Sequence, residues 1–68
     1  MSEHVYRKTE VVGSSTSGID AAITNAVTKA SETIRNLEWF EVAEIRGHIE
    51  NGAVVHTQVT LKIGFRME

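Results

Sequence analysis

Trp39 is the only tryptophan in this 68-residue chain. On a protein surface an indole does one of two things: it anchors an interface between proteins, or it stacks against a flat ligand. Gln58 carries an amide with both a donor and an acceptor, the pattern that reads the edge of a heterocycle, although a glutamine on a strand face is more often plain surface. Arg46 and Arg66 can each hold a phosphate group or remain solvated charges. His48 and His56 have the spacing of a metal pair, but the register derived below sends them to opposite faces of a hairpin. They and His4 therefore read as ordinary surface histidines, and no metal site is expected. The serines cluster in "GSSTSG", with no histidine and acid arranged to activate a nucleophile. That loop also lacks the lysine of a P-loop and the spacing of a dinucleotide fingerprint.

These side chains need elements to position them. "HVYRKTEVV" is rich in β-branched and aromatic residues and reads as a first strand. The "GSSTSG" loop follows, with Ser17 as expected helix N-cap and Asp20 in place of a capping-box glutamate. Apolar residues then recur with helical spacing at Ile19, Ala22, Ile23, Ala26, Val27, Ala30, Ile34 and Leu37. Two further strand-like runs, "EWFEVAEIRGHI" and "AVVHTQVTLKIGFRM", flank "ENGA". Asn-Gly between such runs marks a type I′ hairpin, because both central residues need positive φ. The order is β-α-β-β.

Direction then sets topology. Strand one up, helix down, strand two up and strand three down allow an all-antiparallel sheet only with the third strand central, order 1-3-2. The fold class is α+β, a three-stranded antiparallel sheet wrapped around one helix. With Asn51 and Gly52 as the turn, Phe40 opposes Ile63 and Val42 opposes Leu61, on the helix side with Val59 and Phe65. The other side pairs Trp39 with Gly64, Glu41 with Lys62 as an ion pair, Ala43 with Thr60 and Ile45 with Gln58. Neighbours on a strand point to opposite faces, so Phe40 enters the core and Trp39 points away from it. Trp39 and Gln58 then lie roughly 20 Å apart, at about 3.3 Å per residue. If both touch one ligand, two chains build the site.

Composition agrees with self-association. A chain of 68 residues is one domain near the lower limit for folding on its own core, and it has no cysteine for a disulfide or a thiolate metal site. A net charge of -2 without a basic run argues against nucleic acid or anionic membrane as the main partner. No signal-peptide core and no run of about 18 apolar residues are present, so a cytoplasmic location is expected.

The segments "VVGSS", "AAITNAV", "TIRNLEWFEVAEIRG" and "QVTLKIGFR" closely resemble the dodecins, a family of small flavin-binding proteins. The resemblance spans nearly the whole chain as a single domain, 1–68. It implies a hollow homododecamer with flavins stacked in pairs between symmetry-related tryptophans, at the position of Trp39. Gln58 matches the glutamine that bonds the isoalloxazine edge. Arg46 and Arg66 match arginines of members that prefer phosphorylated flavin, which implies FMN, with riboflavin or FAD as alternatives. Glu44 matches an acidic position that some relatives associate with cations, and some relatives bind coenzyme A on the outer surface. Thr57 and Thr9 depart from the family pattern, in which the first is often aromatic and the second usually apolar. The function implied is flavin storage and protection from photochemistry, without catalysis. The alternatives are a flavin-dependent oxidoreductase, which needs an open ring face, and a shell-forming protein in which Trp39 only joins subunits.

Overall fold

The computed structural model describes residues 3–67. Its elements are β1 (Tyr6–Ser15), α1 (Ile19–Ser31), β2 (Leu37–Glu50) and β3 (Ala53–Arg66). The sheet is antiparallel in order β1-β3-β2, as the directional argument requires. Asn51 (φ 53°) and Gly52 (φ 77°) form the tight hairpin turn, both in the left-handed region that Asn and Gly tolerate best.

The helix differs from expectation at both ends. Gly18, not Ser17, is the N-cap: its φ of 110° and ψ of -173° suit glycine alone, its carbonyl accepts from the Ala22 N–H at 3.1 Å, and no side chain caps the helix. Ser17 instead donates its N–H to Ser15 Oγ at 2.8 Å, closing the turn that precedes the helix. At the other end α1 stops at Ser31. The Thr33 and Ile34 N–H groups both return to the Ala30 carbonyl, and Asn36 takes a φ of 65° to turn the chain into β2. Ile34 and Leu37 continue the apolar pattern by packing on the core from outside the helix.

The core is built from small helix residues and large strand residues. Ala22, Ala26 and Ala30, spaced by four, are buried against Val59, Leu61 and Ile63 of the central strand. Alanines let the helix approach closely, and at Gly13 of β1 it comes so near that a Cβ would collide with the Ala22 carbonyl and stand 2.7 Å from the Ala26 Cβ. Asn25 Nδ2 also donates to the Ser14 carbonyl at 3.0 Å, tying helix to strand.

The helix is too short to cover the sheet. Its 13 residues span about 20 Å, while the 14-residue strands β2 and β3 run about 46 Å. It packs over β1 and β3 and leaves β2 largely bare. Phe40 does lie on the helix side opposite Ile63, yet it stays 47% exposed, and Val42 and Ile45 beside it are exposed too. The expectation that the monomer buries Phe40 in its own core is therefore corrected: neither member of the Trp39–Phe40 pair is buried. Among the described residues no helix is long and apolar enough to cross a membrane.

Candidate functional site

The sheet face away from the helix carries the candidate residues, and its alternation decides which of them appear there. Trp39 opposes Gly64 as expected. Glycine is required at this rung, because a Cβ would fall among the indole atoms, 2.6 Å from Cδ2 and closer still to Cε2 and Cζ2. The indole thus rests on bare backbone, and it remains 39% exposed. Tyr6 of β1 meets it with centroids 5.0 Å apart and 63° between planes, an edge contact that braces the ring without stacking on it. Arg66, two residues beyond Gly64, opposes Tyr6 and belongs to this end of the face.

Below the indole lies a charged band. Lys8 of β1 donates from Nζ to Glu41 Oε1 at 2.8 Å, reaching across the central strand. The expected ion pair of Glu41 with Lys62 is corrected: the two are register partners, but Lys8 takes the hydrogen bond. That bond and the Lys8 charge hold the Glu41 carboxyl below its ordinary value, with a smaller push from Lys62.

Further along, two extra residues reshape the register. β3 skips a partner at Val55 and β2 skips one at Ala43, so between these points every rung differs from the one that the turn alone dictates. Gln58 opposes Arg46, not Ile45; Thr60 opposes Glu44, not Ala43; and Ile45 moves to the helix side opposite Val59. Arg46 is thereby delivered to the same face as Gln58, with Glu44 Oε1 4.0 Å from its Nη1. His48 and His56, expected on opposite faces, are instead direct cross-strand partners with ring centroids 6.1 Å apart.

The candidates therefore fall into two groups on one face. Trp39, Tyr6 and Arg66 occupy one end, and Gln58 and Arg46 the other. Gly64 and Gln58 are six residues apart on β3, roughly 20 Å along the strand. A single chain cannot close both groups on one small molecule.

A family model described as Dodecin matches residues 5–68. The chain belongs to the dodecin family. It is 52% identical over 64 residues to a dodecin of Thermus thermophilus, covering 94% of this chain and 93% of that protein. The dodecin structure from Streptomyces coelicolor is 62% identical, with a TM-score of 0.94 over 100% of this chain and 97% of that one. The Streptomyces davaonensis dodecin gives 51% identity and a TM-score of 0.94 over 98% of each chain.

In this dodecin-family chain the two departures from pattern are both threonines on the helix side of the sheet. Thr57 is half-buried on the helix side opposite Gly47 and Ser15, and Thr9 is half-buried opposite Ile63. Sequence reasoning did not find Tyr6 or Lys8 as neighbours of the tryptophan rung. No tight turn joins β1 to β3, so nothing in the chain reports their mutual register; the alternation of Tyr6, Lys8 and Glu10 shows only that they share a face.

Proposed function

We propose that this protein binds flavin, FMN first and riboflavin or FAD as alternatives, and stores it protected from photochemistry in the cytoplasm. In this reading it is a homododecamer without catalytic activity, and flavins stack in pairs between the Trp39 side chains of neighbouring subunits. The observation that carries the reading is the Trp39 indole laid on Gly64, exposed on the sheet face away from the core. A flat ring fixed on backbone is a preorganised stacking surface, which loses little freedom when a second flat ring covers it.

The other residues fit a flavin. Gln58 offers a donor and an acceptor to the polar edge of the ring system. Arg46 and Arg66 supply cations for a phosphate, which favours FMN over riboflavin. Because Gln58 and Trp39 of one chain are about 20 Å apart, the reading assigns them to different subunits around each ligand. A flavin enclosed between an indole and a second flavin has no open face to accept a hydride, which is why storage is preferred to oxidoreduction. The electron-rich indole against the ring quenches its excited state.

The test is a titration of apoprotein with FMN, followed by fluorescence, alongside the particle mass. The expected result is strong quenching at micromolar protein on a particle of about twelve chains. An assembled particle that leaves FMN fluorescence unchanged would reduce the protein to a shell and overturn the reading. Turnover with reduced nicotinamide well above that of free flavin would overturn the storage role in favour of catalysis.

A further inference from the structure

The extra residue at Val55 has a second effect, at the free end of the hairpin: it turns His56 to the face that already carries His48 and makes the two histidines opposite members of one rung. β1 ends at Ser15, opposite Thr57, so no third strand flanks this rung. His48 Nε2 donates to Glu50 Oε2 at 3.1 Å, and Arg46, Gly47 and Gln58 complete the walls of the shallow polar recess in which the imidazoles sit.

We propose that His48 and His56 form a binding site for a borderline divalent transition ion, of the Ni²⁺ or Zn²⁺ kind, with Glu50 as the residue that orients His48. Geometry allows both imidazoles to reach one ion. A metal–nitrogen bond of about 2.1 Å, plus about 1.1 Å from that nitrogen to its ring centre, puts the ion about 3.2 Å from each centroid; two rings sharing it can stand at most about 6.4 Å apart. The observed 6.1 Å lies just inside that limit, which is reached only when the two nitrogens are in line with the ion, so the exposed rings swing about 1 Å closer to hold it at the tetrahedral angle of Zn²⁺. A carboxylate on one ring nitrogen is the arrangement that fixes the tautomer of a metal-bound histidine and raises its basicity. With the Nε2 proton directed at Glu50, the lone pair of His48 is on Nδ1.

Imidazole pairs suit Ni²⁺, Cu²⁺ and Zn²⁺ and discriminate against Mg²⁺ and Ca²⁺, which prefer oxygen. Among the described residues no set of three His, Cys, Asp or Glu converges as a prebuilt cage, so water fills the remaining positions. The nearby charges on this face are Glu50 and, one rung inward, the Arg46–Glu44 pair. The ion would lie about 7 Å along the strands from the Arg46–Gln58 rung. The proposal does not rest on the flavin reading, since neither histidine belongs to that site, although Arg46 and Gln58 border both.

The test uses untagged full-length protein titrated calorimetrically with Ni²⁺ at pH 7.5. Saturable uptake of one ion per chain is expected, weakened at least tenfold by His56→Gln and by His48→Gln, and unchanged by His4→Gln. Both weakened variants alter exposed positions, and circular dichroism checks that they keep the fold. No saturable uptake, equal uptake by His56→Gln, or uptake lost with His4→Gln would each overturn the proposal.

Discussion

The indole of Trp39 occupies the space that a side chain at position 64 would fill. Gly64 has no unusual φ, so its role here is to leave room, not to bend the backbone. Gly64→Ala should therefore keep the strand and expel the ring from its seat. The expected outcome is a loss of FMN affinity comparable to that of Trp39→Ala, about 1 to 3 kcal/mol if aromatic stacking on bases is a fair guide. Fluorescence titration of both variants checks this, and an unchanged affinity in Gly64→Ala would separate the seat from the function.

The Lys8–Glu41 bridge joins the two outer strands across β3, and it depresses the Glu41 carboxyl through the Lys8 hydrogen bond first and the Lys8 charge second. A carboxylate whose folded-state value lies below its unfolded one contributes stability that is complete above the ordinary value of 4.5 and disappears as pH falls through the lower folded value. The expected difference in unfolding temperature between the wild type and Glu41→Gln is therefore largest near neutral pH and closes in acid. Both partners are half exposed, so the effect is small. A difference that persists unchanged at pH 3 would show that the charge is not its source.

The parts of the fold that were legible in the sequence are those with a local physical signature. Asn51-Gly52 announces its turn because few residues accept two successive positive φ angles, and the central place of β3 follows from chain direction. The tryptophan rung was also correct, but through cancellation: the skip at Val55 shifts the register by one residue and the skip at Ala43 shifts it back. Nothing in "VAEI" or "VVHT" marks a bulge, as a strand glycine would. Gln58, Arg46 and the two histidines lie between the skips, so their partners were hidden. The early helix stop was hidden as well, because Ile34 and Leu37 serve the same core from a turn and a strand. The proposed pairing of the two candidate groups across subunits could not be read from one chain at all.

Gly13 is the point where helix and sheet approach most closely. A methyl group there meets the Ala22 carbonyl and the Ala26 Cβ, and backbone cannot swing aside as the end of a flexible side chain does. Gly13→Ala should destabilise the protein by about 1 to 3 kcal/mol, the usual range for overpacking. Chemical denaturation of the two proteins at equal concentration measures this. Equal stability would mean that α1 can lift from β1 without loss.

The bare helix-side face of β2 remains to be covered, and Phe40, Val42 and Ile45 line it. Fully burying one such side chain contributes about 1.5 to 3 kcal/mol, a large gain for a chain with so small a core of its own. A second copy of the chain is the occupant consistent with dodecin-family assembly. Val42→Asp should therefore lower the particle mass in size exclusion, and FMN quenching should fall with it, because one chain holds only half of the proposed site. Thr24→Asp, on the exposed side of the helix, should leave both unchanged. A Val42→Asp particle of unaltered mass would exclude this face as the interface; a dissociated protein that still quenched FMN would place the whole site within one chain.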